Sequence, residues 1–489
     1  MLIMENLKEK AATGIAWGAV NNGMTQVLNL VFGIVLARQL SEADYGVVAL
    51  LTIFTALAGC IQAAGFSQAL ANLKPPTRRD YNAVFWFNIL AGVSMYIVLF
   101  FCAPLIARYF RQPVLTDLSR VVFLAIPISA LGIVPNAKLW IELRNKELAI
   151  ASLSSLVVSG GVGVWLAFHD YAYWSLAWQQ LVFIGMNVLM KYGFTRWRPM
   201  LSFDFSPIRR MLGFSSKMLL TNMLTVISQN VQTFIFGKLL HIDVVGQFNQ
   251  ANKWNNMGHS FISGTMAQVA QPVLTKAGDE SERRERVFRK MLRFTAFVSF
   301  PLMLGLALVA HEFIVLTIGE KWLPCVPLLQ VLCVGGVFVP LHVLFQNFII
   351  SSGRSDLNFF VISAQIVLQI VLTLALSPWG VLAMVTGFTV LNVVFTFCWY
   401  LAMLRIRRLS LLAVLKDTVP FAAVAVVVMA ATYLFTSAGS PLAPFPSLSS
   451  LLWLLFLVRV ALAAVLYFAV LHLLHAAILR ECLQFIRRK

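Results

Sequence analysis

Apolar stretches of about 20 residues recur from one end of the chain to the other, each long enough to cross a bilayer core of roughly 30 Å as a helix. By that length criterion fourteen spans are expected, at roughly 12–37, 44–72, 82–107, 119–139, 147–168, 173–194, 213–237, 245–274, 290–311, 324–350, 357–377, 380–404, 417–436 and 451–478. The short alternating segments of a membrane barrel would look different. The expected fold class is therefore an all-α integral membrane protein. Met1 to Lys10 is polar and no cleavage-site pattern follows it, so the first span is expected to be a retained helix. The eighth span stands apart, because its first half is the polar run Gly246 to Asn256.

Composition agrees. Of 489 residues, 59% are hydrophobic and 12% charged, where a soluble domain has roughly 25% charged. The net charge of +18 would suggest nucleic acid in a soluble protein; here the excess of Lys and Arg in cytoplasmic loops explains it, and no nucleic-acid partner is expected. With the N-terminus inside, only six of the 38 Lys and Arg (Arg38, Arg108, Arg111, Arg120, Lys238, Lys321) fall in outer segments. Two more, Lys253 and Arg459, lie deep within spans, and the remaining thirty fall in inner segments or at inner span ends. This asymmetry predicts a multi-pass protein with both termini cytoplasmic. The six cysteines lie in or beside apolar spans without a CxxC pair and predict no disulfide framework. The longest outer loop, Ser437 to Ser450, carries no charge, which leaves no extramembrane catalytic domain, and no enzyme is expected.

A weak internal repeat runs at an offset of about 200 residues. Leu36 to Leu40 and Gly46 align with Phe236 to Leu240 and Gly246, and Asn22 and Asn29 align with Asn222 and Gln229. Six spans per repeat is an even number, so the halves would share orientation about an axis along the membrane normal. The expected organisation is a six-helix bundle over 1–194, a cytoplasmic linker over 195–212, a second six-helix bundle over 213–404, and two added helices with a basic tail over 405–489. Gly14-x-x-x-Gly18 and Gly160-Gly161-x-Gly163 are expected to permit close helix approach.

Lys253 carries the candidate chemistry. A charge within a span is costly and normally faces a partner or a water-filled cavity on a substrate path. Asn249, Lys253, Asn256 and Ser260 share one helix face, flanked by Asn252 and His259. Span 1 places Asn22, Gln26 and Asn29 on one face, and span 7 places Asn222, Gln229 and Thr233 on another. Such amides either glue helices together or line a polar cavity. The three stripes taken together favour the cavity. Arg38 and Lys238, repeat partners near outer span ends, would guide a phosphate or form gate contacts with Glu42, Asp44 or Asp243; a surface ion pair is the plainer alternative. Arg459 would meet lipid headgroups or an adjacent helix. His472 and His475 lack further ligands, and no metal is expected.

Gly14, Trp17, Asn22, Gln26, Leu40, Asp44-Tyr45-Gly46 and the Trp197-x-Pro199 linker together resemble the polysaccharide transporter branch of the multidrug/oligosaccharidyl-lipid/polysaccharide exporter superfamily, including the Wzx-like flippases. The resemblance implies twelve core helices in two bundles forming a V, with two extra helices. It also implies that the repeat-related spans 1 and 7 face each other, and that alternating access moves undecaprenyl-diphosphate-linked oligosaccharide from the cytoplasmic to the periplasmic leaflet of the bacterial inner membrane. The implied partners are that lipid-linked oligosaccharide, membrane lipids, and a polymerase and glycosyltransferases of the same pathway. No Walker A motif is present and no cofactor is expected; H+ or Na+ coupling, or consumption of the flipped lipid, would drive transport. A drug or cation exporter of the same superfamily and a membrane polysaccharide polymerase are the rival readings. The first would need an intramembrane Asp or Glu and the second a reactive outer loop.

Overall fold

The computed structural model describes residues 2–63, 70, 76–276, 281–407, 409–437, 451–474 and 478. Every regular element among them is helical. In hydrocarbon this is the expected solution, because a helix satisfies its backbone N–H and C=O groups internally. The helices are α1 (Leu2–Gln39), α2 (Glu42–Ala63), α3 (Arg78–Phe110), α4 (Leu115–Val122), α5 (Ala125–Ile141), α6 (Asn145–Phe168), α7 (Tyr173–Thr195), α8 (Ser206–Leu239) and α9 (Ile242–Lys276). They continue with α10 (Ser281–Leu308), α11 (Ala310–Thr317), α12 (Cys325–Gly336), α13 (Val339–Ser351), α14 (Ser355–Leu376), α15 (Gly380–Leu404), α16 (Leu411–Thr436) and α17 (Leu452–Leu473). Among the described residues ten stretches are apolar and long enough to cross a membrane, and one of them, 355–404, contains two helices. The helices α7, α8 and α9 are also of spanning length but more polar. Together they give about fourteen passes, as the hydrophobic pattern predicts. The chain is a multi-pass membrane protein. The outer loop 438–450, Cys482 and His475 lie outside the described residues.

The chain forms two compact units, Met1–Gly246 and Gln247–Lys489. In the first, α6 packs against α7 and α1, α5 against α7 and α3, and α8 against α2 and α3. Absent side chains set some of these contacts. A Cβ at Gly160 would run into the Phe32 ring of α1, and one at Gly163 would meet Gln179 of α7. The expected close approach at Gly160 and Gly163 is therefore present. At Gly18 and Gly161 it is not, since among the described residues nothing lies within 4 Å of a Cβ built there. The starts of α2 and α9 cross with backbone against backbone: a Cβ at Gly46 would strike the Ile242 carbonyl oxygen, and one at Gly246 would strike the Glu42 carbonyl oxygen. Each glycine meets the residue four before its own repeat partner.

The stretch between α7 and α8 is strapped onto α3. Asn82 Nδ2 donates to the Ser202 carbonyl (2.7 Å), the Met200 N–H donates to Asn82 Oδ1 (2.8 Å), and Trp86 Nε1 donates to the Met200 carbonyl (2.8 Å). Trp197 is buried edge-on against Phe85, 5.2 Å between ring centroids. Arg79 of α3 donates to Asp204 and holds its carboxyl down at about 2. A capping box, Thr77 with Asp80, starts α3 and satisfies two backbone donors reciprocally.

In the second unit α10 packs against α12 and α16, α15 against α12, α13 and α14, and α17 against α16 and α11. Phe288, Leu292, Phe345, Phe348, Trp399 and Met403 anchor its core. The two helices beyond the expected twelve, α16 and α17, are built into this unit by polar contacts. Arg459 of α17 meets Glu312 of α11 at 2.8 Å and Thr436 Oγ1 of α16 at 2.9 Å, so its partner is an adjacent helix and not a lipid headgroup. Tyr467 Oη donates to the Phe297 carbonyl at 2.9 Å. Asp417 of α16, 4% exposed, accepts from Arg289 of α10 at 2.6 Å.

Candidate substrate site

Helix α9 is 35 residues long, and its composition decides how it packs. Trp254 sets its ring edge-on against Phe313 of α11, 5.0 Å between centroids. A Cβ at Gly258 would touch Met303 and Leu306 of α10, and Asn255 fills the space left by Gly336 of α12. That is the face α9 buries in the second unit. Asn249, Asn252, Lys253 and Ser260 are half-buried and Asn256 is exposed. His259 extends this polar strip along the helix: its Nε2 lies 3.1 Å from Asn256 Oδ1 and its Nδ1 3.5 Å from Ser263 Oγ.

Among the described residues of its unit, Lys253 pairs with no carboxylate. The aromatic contact it makes there is with its own neighbour, the Trp254 ring at 6.0 Å. The buried carboxylates of the unit, Glu312 and Asp417, are both engaged by arginines. An ammonium with three donors and no carboxylate partner among the described residues of its unit has donors to offer an anion.

The other stripes lie in the first unit. On α1, Asn22 is exposed while Gln26 and Asn29 are half-buried; on α8, Asn222 and Thr233 are half-buried and Gln229 is exposed. Asn230, beside that stripe, donates to the Val226 carbonyl at 2.9 Å and so satisfies itself along its own helix. Since α1 packs against α6 and α8 against α2 and α3, the two stripes are not consumed by mutual packing. Arg38 is exposed. Lys238 donates to the Tyr109 carbonyl at 2.9 Å and sits 4.4 Å from that ring's centroid, while Asp44 accepts from Ser41 at the start of α2. The lysine is thus held by α3, not by Glu42, Asp44 or Asp243.

Two amides of α9 were not singled out by spacing. Gln250 is fully buried with neither amide atom bonded among the described residues, and Asn255 Oδ1 is likewise unbonded. An unsatisfied buried amide costs about 1–3 kcal/mol. Both belong to the run Gly246 to Asn256, but a search for one helix face passes over them because they lie off the Lys253 stripe. Among the described residues no three His, Cys, Asp or Glu side chains gather as metal ligands would.

The sequence profile of the polysaccharide biosynthesis protein family matches residues 35–327. The chain belongs to that family. It is 23% identical over 411 residues to the lipopolysaccharide biosynthesis protein WzxC of Escherichia coli (strain K12), covering 82% of each chain. It is 24% identical over 359 residues to the teichuronic acid biosynthesis protein TuaB of Bacillus subtilis (strain 168), covering 73% of this chain and 74% of the relative. Among solved structures, the lipid II flippase MurJ in an inward closed conformation matches with a TM-score of 0.74 at 14% identity, over 93% of this chain and 97% of MurJ. An inward-facing multidrug resistance transporter of the MATE family matches with a TM-score of 0.65 at 18% identity, over 78% and 94%. At such identities the likeness is one of fold. This member of the polysaccharide biosynthesis protein family therefore has the fold of the exporter superfamily that its Asp44-Tyr45-Gly46 and Trp197-x-Pro199 motifs resemble.

Proposed function

We propose that this protein is a flippase that moves an undecaprenyl-diphosphate-linked oligosaccharide from the cytoplasmic to the periplasmic leaflet by alternating access, for assembly of a surface polysaccharide. The observation that carries the reading is Lys253, a lysine without a carboxylate partner among the described residues of its unit, set in a strip of amides and hydroxyls on α9 of a family member. The substrate has a diphosphate, sugar hydroxyls and a long lipid tail. Passing its headgroup through hydrocarbon unaided would cost many kcal/mol. Lys253 offers the diphosphate a compact point charge that binds without a rigid fork. Asn249, Asn252 and Asn256 on α9, Asn22, Gln26 and Asn29 on α1, and Asn222 and Gln229 on α8 offer amides to the sugars. Arg38 and Lys238 lie toward the outer ends of their helices, where a phosphate would leave.

A cation exporter fits less well. It needs a carboxylate free to hold its substrate, and Glu312 and Asp417 are neutralised by Arg459 and Arg289. Both termini face the cytoplasm in this reading, on the strength of the loop charges. A polymerase and glycosyltransferases would act on either side of the transported lipid. Transport would draw on H+ or Na+, or on consumption of the flipped lipid.

Proteoliposomes loaded with a fluorescent lipid-linked oligosaccharide test this. The protein should expose essentially all of the probe to a membrane-impermeant quencher, where empty vesicles expose about the outer-leaflet half. Equal exposure in both would overturn the reading. Repeating the assay with imposed pH or Na+ gradients identifies the driving ion.

A further inference from the structure

The end of the second unit that the loop charges assign to the cytoplasm carries an assembly that the transport reading does not use. A cleft of about 300 Å³ opens between α10, α13, α15 and α16, lined by apolar side chains including Leu292, Phe300, Phe397, Leu415 and Val419. Beside its wall lies a charged group. Asp417, one residue before the lining Thr418, is 4% exposed. Arg289 donates to it at 2.6 and 3.3 Å, and Arg293, next in sequence to the lining Leu292, pairs with it at 3.5 Å.

Two guanidiniums share one carboxylate, so one positive charge is left over. Arg293 makes no hydrogen bond among the described residues, and its Nε is buried without one. The Arg289 and Arg293 side chains are 33% and 36% exposed, so both retain donors that an outside acceptor can reach. Lys416 and Arg286 stand exposed nearby in sequence, while Glu285 is occupied by Arg407 at 3.5 Å. The surplus at this end is cationic, and it borders an apolar cleft.

We infer that this surface binds an anionic diacyl phospholipid, its phosphate on Arg293 and Arg289 and part of one acyl chain in the cleft. Charge complementarity selects an anionic headgroup over a zwitterionic one. Size fits the chain: at about 30 Å³ for a water-sized group, the cleft takes on the order of ten such groups, a portion of one acyl chain. Asp417 acts as a positioning residue, fixing both guanidiniums beside the cleft while leaving most of their donors uncommitted. The bound lipid would brace α16, a helix outside the expected twelve, against α10.

The purified, delipidated protein is titrated with dioleoyl phosphatidylglycerol or dioleoyl phosphatidylcholine while its thermal unfolding midpoint is followed. Phosphatidylglycerol should raise the midpoint saturably and phosphatidylcholine should not. Arg293→Gln, which leaves the Arg289–Asp417 pair intact, should raise the half-saturating concentration about fivefold, the effect of one basic residue at an anionic surface. Val419→Trp, which fills the cleft, should raise it independently; if that variant does not fold, Arg293→Gln decides. No midpoint shift, an equal response to both lipids, or unchanged half-saturation in Arg293→Gln would overturn the assignment. So would displacement of a labelled phosphatidylglycerol by equimolar undecaprenyl phosphate, which would give the surface to the polyprenyl lipid instead.

Discussion

Arg459→Leu should destabilise the second unit by about 3–5 kcal/mol, the usual cost of removing one partner of a buried ion pair. The side chains of Arg459 and Glu312 are only 8% and 4% exposed, with their atoms 2.8 Å apart. Without the guanidinium, the Glu312 carboxylate would stay buried, with only the His311 ring nitrogen 3.7 Å away near it among the described ion-pairing groups. Arg459 also donates to Thr436 and lies over the Tyr433 ring at 5.5 Å, so its loss would release α17 from both α11 and α16. Glu312→Leu in the same chain removes the stranded charge, and the double variant should recover most of the stability, as replacing whole buried pairs by apolar residues commonly does. Unfolding in a denaturing-detergent titration, measured on the two singles and the double, reads the coupling directly. Additive losses would deny the pair its role.

Lys253→Ala should cut transport by roughly ten- to a hundredfold or more, since a hydrogen bond to a charged group contributes about 1.5–3 kcal/mol and each 1.4 kcal/mol is a factor of about ten. Stability should scarcely fall, because the ammonium has no carboxylate in its unit to leave behind and Trp254, not Lys253, makes the packed contact with Phe313. Lys253→Arg should retain partial activity if bare charge is what the substrate needs; the planar fork of arginine binds phosphate bidentately and would slow release. The measurement is polymer export in a complementation assay at matched protein level. Near wild-type export by the alanine variant would remove Lys253 from the site.

Much of the fold was legible because its signal is local. A bilayer demands about 20 apolar residues per crossing, and that demand is written span by span, down to the polar character of α9. The Lys253 strip was legible for the same reason, since spacings of three and four place residues on one face. What was not legible involves long separations. Glu312 and Arg459 are 147 residues apart and Arg289 and Asp417 are 128 apart. No periodicity within a helix announces which cation will neutralise which carboxylate, so the sequence pairs Arg459 with no particular residue. Lys238 went to Tyr109 of α3, 129 residues away, rather than to Asp243 beside it in sequence. Gln250 and Asn255 show the opposite failure: they sit in the right run but off the face that spacing selects.

The crossing of α2 and α9 at Gly46 and Gly246 has an energetic corollary. A methyl group on either glycine can be admitted only by prising the same two backbones apart, and once they have parted the second methyl meets less resistance. Gly46→Ala and Gly246→Ala should therefore be strongly non-additive, the pair together costing well under the sum of the two alone, as expected where two sites share one backbone displacement.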